Sequence, residues 1–396
     1  MKKLFFDYNF IIFLFLLIFS PFLILIMNFI FYPNFNFLFN KNLSGVVENI
    51  NKPPLNLKNI KSHSIQKYYE QLFIKKLPLR SLTIRLNNQI YYSFFNKSYS
   101  NNNQIVIGND NQLLELPYIK NYCQIDVPKI TKEYVIAWAD KIKKLNDFFI
   151  SKGKKFIYLI VPSKVEYLPS SIPARFRCKP HGISPQVRLL ETLLTERGIP
   201  YVNGPQLMIE STKNYKISMF PKGGTHWNYL AGAITANFIL ETVNQSNSAI
   251  FNPLSFNYKL TSNPEGTDVD LFSLLNLLNT NVNYLVPKLT FKRSLPIKSE
   301  LKLAVIGDSF ATQFINAFLK SEVFSEIFYD SYFTFNLTYK KNSWPTLNKI
   351  NKESSHALDD IMSSDIVILE ENTANTMSNY SMTLYNLMNK LAFNSL

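Results

Sequence analysis

Between residues 155 and 371 the chain alternates two hydrophobic periods. Short unbroken apolar runs, Phe156-Ile157-Tyr158-Leu159-Ile160-Val161, Leu303-Ala304-Val305-Ile306 and Ile366-Val367-Ile368-Leu369, are separated by stretches whose apolar residues recur every three or four positions. A strand that is apolar at every position is buried on both faces, so strands of this kind separated by helices predict a parallel sheet covered on either side, a three-layer α/β/α domain. Helices are expected over 132–151, from Ser184-Pro185 to about Gly198, over 228–243 and after Ser309, with a further strand at Tyr201-Val202. Gln104 to Leu114 reads as strand, turn and strand, and the main domain is placed from there, over 104–396.

The preceding residues follow other patterns. Tyr68 to Phe95 has helical spacing interrupted at Leu77-Pro78-Leu79-Arg80, and residues 33 to about 66 are rich in Asn, Lys and Pro; together 33–103 reads as a tether and helical linker. Phe10 to Phe31 is 22 positions without a charge. That is long enough to cross a bilayer and longer than a signal-peptide core, and no small-x-small cleavage site follows. Residues 10–32 are therefore expected to form an uncleaved transmembrane anchor behind a cytoplasmic N-terminus, 1–9, marked by Lys2 and Lys3. The remainder of the chain would then lie outside the cytoplasm.

The flanking charge bias is slight, since Lys41 and Lys52 lie beyond the span. The formal net charge of +14 is concentrated near the N-terminus: residues 1–105 hold 12 Lys and Arg against 3 Asp and Glu, whereas the rest hold 30 against 25. No basic face with interleaved aromatics and no reading motif points to nucleic acid; an anionic lipid or polymer is the partner such a bias favours. Neither a P-loop nor a Gly-x-Gly-x-x-Gly follows any strand, which argues against nucleotide chemistry, and no cofactor is implied. The two cysteines, Cys123 and Cys178, lack metal-ligand spacing. Two readings stay open for them, a disulfide in an exported chain or two separate buried thiols.

Chemistry is suggested where the strand ending at Ile306 runs through Gly307 and Asp308 into Ser309 and a helix. A serine at such a turn is exposed beside backbone N–H groups and the positive end of a helix dipole, where an oxyanion is stabilised. It needs a base. Of the four histidines, His63 falls in the tether, His181 in a loop and His356 in a polar stretch, all three read as solvated. His226 sits in Gly223-Gly224-Thr225-His226-Trp227, a glycine turn directly before an apolar helix, which is a rigid platform for aiming a side chain. In a parallel sheet the carboxyl ends of the strands hold the site, and both Ser309 and Glu370 stand at such ends.

Gly307-Asp308-Ser309-Phe310 after a strand, preceded by Thr225-His226-Trp227, resembles the SGNH-hydrolase-like domain of the AlgJ/AlgX type, the alginate O-acetyltransferases of bacterial exopolysaccharide machines. Arg80, the Val106-Ile107-Gly108 turn, Ile160-Val161-Pro162-Ser163-Lys164 and the Asp270-Leu271 pair ahead of Leu274-Leu275 resemble further landmarks in the same order, over roughly residues 70 to 375. The resemblance implies Ser309 as acyl-accepting nucleophile and His226 as its general base, with Gly307, Thr225 and Trp227 shaping the site. It also implies a polysaccharide substrate, a multi-span membrane O-acyltransferase as acetyl donor, and a single-pass protein of the bacterial inner membrane with its catalytic domain on the periplasmic side.

One position departs from the pattern. Where the family motif Asp-x-His-Trp carries the aspartate that orients the histidine, this chain has Gly224. Glu370 and Glu371 at their strand end are the expected replacements, with Asp308 a further candidate adjacent to the serine. Three outcomes stay open: a rewired triad, a Ser-His dyad, or an inactive relative that binds or scaffolds polysaccharide. A deacetylating esterase would use the same serine.

Overall fold

The computed structural model describes residue 19 and residues 42–45, 51–76, 80–99, 104–245, 250–292, 300–331, 334–340, 346–349, 356–374, 382–386 and 389. Apart from Phe19, the expected anchor lies outside the described residues. Among the described residues no helix is long and apolar enough to cross a membrane. The chain divides into two compact units, one formed by 1–105 with 272–281 and the other by 106–271 with 282–396.

In the first unit the predicted tether already contains a short helix, α1 (Leu57–Lys61), followed by α2 (Ser64–Lys76) and α3 (Arg80–Phe95). Helix α3 holds the segment 272–281 through polar side chains: Asn88 Nδ2 donates to the Leu275 carbonyl at 2.8 Å and Arg85 Nη1 to that of Leu277 at 3.1 Å.

The second unit is built on a seven-stranded sheet in the order β10-β9-β8-β7-β11-β3-β4. Its strands are β3 (Lys155–Val161), β4 (Tyr201–Asn203), β7 (Lys302–Gly307), β8 (Glu326–Ser331), β9 (Phe335–Lys340), β10 (Thr346–Lys349) and β11 (Ile366–Asn372). The five from β8 to β4 are parallel, as the apolar runs predict. The edge differs: β8 pairs antiparallel with β9, and β9 with β10. These edge strands alternate polar and apolar residues, such as Asn336, Thr338 and Lys340 between Leu337 and Tyr339, so they do not announce themselves as buried parallel strands.

Alternation along the central strands divides the core into two layers. Ile157, Leu159, Val161, Leu303, Val305, Ile366 and Ile368 pack with α9 (Tyr229–Gln245) and α11 (Ala311–Ser321). Their neighbours Phe156, Tyr158, Ile160, Ala304, Ile306, Val367 and Leu369 pack on the other side with α5 (Lys132–Ser151), α7 (Pro185–Glu196) and α12 (His356–Ser363). Polar starts fix the helices: Thr131 caps α5 by accepting from Tyr134 N–H at 3.2 Å, and Ser184 caps α7 by accepting from Val187 N–H at 3.2 Å.

Two small hairpins complete the unit. One is β1 (Ile105–Ile107) with β2 (Leu113–Glu115); the other, β5 (Phe256–Thr261) with β6 (Val286–Phe291), was not anticipated. Short helices α4 (Leu116–Tyr122), α6 (Lys164–Tyr167), α8 (Gly204–Tyr215) and α10 (Asp270–Leu274) link these elements. Cys123, at the end of α4, forms a disulfide with Cys178, which selects the first of the two open readings. Closing a loop with a sequence separation of 55 contributes about 4 kcal/mol in the chain-entropy model.

Burial leaves several ionisable groups off their ordinary values, and a pH dependence of stability follows. Burial pushes Asp308 up to about 6 from 3.8, Asp268 and Asp330 up to about 7 from 3.8, and Glu191 up to about 7 from 4.5. Between about pH 4 and 7 the folded chain therefore holds more protons than the unfolded one, and these groups make stability fall as pH rises. Lys164 acts the other way: burial lowers it to about 7 from 10.5, so between 7 and 10.5 the unfolded chain holds more protons and stability rises with pH. The thermal midpoint is expected to pass through a minimum near pH 7 in scans from pH 4.5 to 9.5, and Asp330→Asn to flatten the acid limb. A maximum at pH 7 would contradict these assignments.

Candidate active site

The turn that carries Ser309 follows β7. Gly307 is its last residue, and a Cβ there would stand 2.4 Å from Glu370 Oε2, so only glycine lets the strand pass that side chain. Asp308 then folds back: its Oδ1 accepts from Phe310 N–H at 2.8 Å, and its own N–H donates to Glu370 Oε2 at 2.8 Å. The Tyr329 hydroxyl donates to the Asp308 carbonyl at 2.5 Å. Helix α11 begins only at Ala311, two residues beyond the serine, and Thr312 Oγ1 donates to the Ser309 carbonyl at 2.7 Å. Ser309 thus stands on a turn fixed by three buried side chains: Asp308 just after β7, Tyr329 of β8 and Glu370 of β11.

The histidine turn is held as firmly. Asn228 N–H donates to the Met219 carbonyl at 2.8 Å, its side chain donates to the Ser218 carbonyl at 2.8 Å, and its Oδ1 accepts from Ala231 N–H at 3.0 Å in the first turn of α9. Trp227 is fully buried, and its Nε1 donates to the Phe310 carbonyl at 2.9 Å, tying the histidine turn directly to the serine turn. The His226 ring lies 4.7 Å from the Phe310 ring.

The two turns bring the reactive atoms together. His226 Nε2 is 2.8 Å from Ser309 Oγ, and His226 Nδ1 is 2.5 Å from Asp270 Oδ2. The other Asp270 oxygen accepts from Thr225 N–H at 2.9 Å and Leu271 N–H at 2.6 Å. Both oxygens of the acid are therefore engaged. The His226 side chain is 12% exposed and that of Asp270 26%, and Ser309 is half-buried, so the three groups are not sealed in the core.

Asp270 stands where Glu370, Glu371 or Asp308 was expected. The strand-end argument placed those backbones correctly, but their side chains turn into the core. Glu370 accepts from Asp308 N–H beneath the serine turn, and Glu371 accepts from the Tyr158 hydroxyl in the opposite layer. All three are fully buried. Burial and the Asp308 charge raise Glu370 well above the usual carboxylate range, so Glu370 keeps its proton and Asp308 carries the charge of the pair. They support the turn rather than the ring.

Besides Asp270, two further residues of the site were given no role by the sequence: Lys164, present only as a landmark, and Glu115. Lys164, in α6, is 1% exposed, and its Nζ faces four carbonyls: Pro221 at 2.6 Å, Gly224 at 2.8 Å, Leu113 at 2.9 Å and Lys222 at 3.0 Å. Burial lowers its pKa, and the Asp270 and Glu115 carboxylates oppose the shift. Four acceptors suit the three N–H donors of the ammonium, the form Lys164 takes below about pH 7. Glu115, at the end of β2, is pushed up by burial and drawn back by His226 and the Thr225 hydroxyl. Lys164→Met strands those carbonyls in the interior. It is expected to lower stability by about 3 kcal/mol or more and to cut turnover with it, as read by denaturant unfolding and initial rates; unchanged unfolding would remove the lysine from this role.

The site can now be set beside known proteins. The chain is similar to several solved structures. The O-acetyltransferase domain of Pseudomonas putida AlgJ aligns at 14% identity and a TM-score of 0.46, covering 72% of this chain and 99% of that one. Pseudomonas aeruginosa AlgX aligns at 16% and 0.43, covering 71% of this chain and 66% of that one, and Bacillus cereus PatB1 at 13% and 0.44, covering 69% and 97%. No protein-family model and no curated protein matches the sequence. The arrangement of Ser309, His226 and Asp270 rests on its own geometry: a hydroxyl, a base in line with it, and an acid that fixes the base, the constellation of nucleophilic acyl transfer.

Of the other histidines, His63 is exposed and the exposed His181 stacks on Tyr122 at 4.1 Å between ring centres. The side chain of His356 lies outside the described residues.

Proposed function

We propose that the chain is an O-acetyltransferase that moves an acetyl group onto hydroxyls of an exported polysaccharide through an acetyl-Ser309 intermediate. The observation that carries this reading is the continuous line Ser309 Oγ, His226 Nε2, His226 Nδ1, Asp270 Oδ2. His226 takes the serine proton as Oγ attacks the acetyl carbonyl; the tetrahedral oxyanion collapses, the leaving group departs with that proton, and acetyl-Ser309 remains. The Ser309 backbone N–H supplies part of the oxyanion hole, a contribution of about 3 kcal/mol per donor. A sugar hydroxyl then gives its proton to His226 and attacks the acetyl carbon, and the proton returns to Ser309. The acid that resolves the Gly224 departure is Asp270, so the chain is read as a rewired triad.

The sequence resemblance supports the polysaccharide acceptor and a multi-span membrane O-acyltransferase as donor, and residues 10–32 support a single-pass inner-membrane protein with this domain on the periplasmic side. The disulfide is in keeping with an oxidising compartment. A silent binding subunit is disfavoured because such a protein has no use for a histidine held from both sides.

The test uses the full-length protein in detergent with 4-nitrophenyl acetate. Intact mass should rise by one acetyl group, peptide mapping should place it on Ser309, and Ser309→Ala and His226→Ala should each abolish it. Acetylation unchanged in both variants would overturn the reading. Adding oligosaccharide separates transfer from hydrolysis: a transferase yields acetylated sugar, an esterase yields only acetate.

A further inference from the structure

Within the same unit as Ser309, His226 and Asp270 lies a pocket between the β5–β6 hairpin and helices α9 and α11. Its wall contains a close chain neighbour of each triad member. Tyr229 comes three residues after His226, Gln313 four after Ser309, and Asp268 two before Asp270. Gln313 Nε2 donates to Thr267 Oγ1 at 2.9 Å, which joins the nucleophile's helix to the segment that carries the triad acid.

The polar groups of this pocket are unusual for a structural cavity. Asp268 is only 3% exposed, yet one of its carboxylate oxygens is buried without a hydrogen-bond partner among the described residues. A buried acceptor left unmatched costs about 1–3 kcal/mol, a debt that a ligand donor would cancel. Burial, then the Asp270 and Glu265 charges, keep the group raised to about 7. At the rim Lys320 lies 5.9 Å from the centre of the Tyr229 ring. The ionisable lining pairs Glu265 and Asp268 with Lys288 and Lys320. A sugar carboxylate entering here would meet the two acids as well as the two lysines and gain no net attraction, whereas a hydroxyl can donate to Asp268 and accept from a lysine.

We propose that this pocket is the acceptor subsite and that it takes a neutral, hydroxyl-rich sugar residue in preference to a uronate. The inference rests on the acyl-transfer reading above for the word acceptor, but the sugar preference stands on the pocket alone. The excess positive charge of residues 1–105 plays no part in it, because none of the lining residues belongs to that segment.

The test is calorimetric titration of the full-length Ser309→Ala protein, in which no acyl-enzyme forms and only binding is read. The probes are a neutral panel (cellotetraose, maltotetraose, chitotetraose) and tetramannuronate. At least one neutral sugar is expected to bind, and tetramannuronate at least tenfold more weakly. Asp268→Ala should weaken the neutral sugar at least tenfold; Lys320→Gln, at an exposed position, should weaken it measurably without disturbing the fold. No neutral binding, equal or tighter uronate binding, or indifference to both substitutions would overturn the proposal. The two readings fail separately: a wild-type protein that is never acetylated on Ser309 but shows this binding pattern loses the transferase reading and keeps the subsite, and the converse result does the reverse.

Discussion

Replacing Asp270 with asparagine is expected to lower acetyl-transfer turnover about 10⁴-fold, the loss that follows when the acid of a Ser-His-Asp triad is amidated. The residue has two tasks. Its Oδ2 accepts from the His226 ring at Nδ1, which leaves Nε2 unprotonated toward Ser309, and its Oδ1 accepts from two backbone N–H groups. Those two backbone bonds fix the side chain, so asparagine keeps its oxygen on the Thr225 and Leu271 N–H groups and turns its NH₂ toward the ring. The imidazole must then accept at Nδ1 and carry its proton on Nε2, where it can no longer take one from the serine. Position and stability are retained while chemistry is lost, and a melting curve close to wild type beside a collapsed rate is the expected pair of results. Glu370→Gln provides the contrast. It replaces a protonated acid with an amide that still accepts from Asp308 N–H, and turnover should stay within an order of magnitude. A collapse in Glu370→Gln with Asp270→Asn unaffected would return the orienting role to the strand end.

Gly224→Asp carries the second large effect, and its sign is the opposite of what the motif suggests. The substitution restores Asp-x-His-Trp, yet it is expected to inactivate the protein. A Cβ at position 224 would stand 2.2 Å from the Thr267 carbonyl oxygen, 3.0 Å from Pro221 Cγ and 3.2 Å from the Asp268 carbonyl carbon. Two of these atoms are backbone, so relief requires moving the segment from Thr267 to Asp270, the one that delivers the acid to His226. It also moves the Gly224 carbonyl away from Lys164. Overpacking of this kind costs about 1–3 kcal/mol, and a misplacement of 1 Å at the histidine costs about 10²-fold in rate. The double variant Gly224→Asp, Asp270→Asn decides the matter. If the space at position 224 is occupied, it stays as inactive as Asp270→Asn; recovery of activity would mean that an acid can reach the histidine from there.

Much of the fold was legible because its signals are local. A strand apolar at every position, as over residues 156–161, has nowhere to lie but inside a sheet covered on both faces, and Ser184-Pro185 caps its helix through atoms three residues apart. The same holds for the serine and the histidine, each announced by its own turn: Gly307 before one, Gly224 before the other. The antiparallel strands β9 and β10 were illegible, since a polar edge strand resembles a loop until its partner is known.

The orienting acid lay beyond sequence reasoning for a related reason. Asp270 is 44 residues from His226 and was visible only as a landmark without a role, whereas Glu370 stood at a strand end where acids in such sheets are looked for. Which way a side chain turns at that end depends on what packs against it, and here the Asp308 backbone N–H and the Tyr158 hydroxyl claim Glu370 and Glu371 for the core. The sequence by itself determined the strands, the nucleophile turn and the histidine turn, because each is specified by neighbours a few residues away. The tertiary structure alone decided which carboxylate meets the histidine, because that choice depends on which of several distant segments fills the space left open by Gly224.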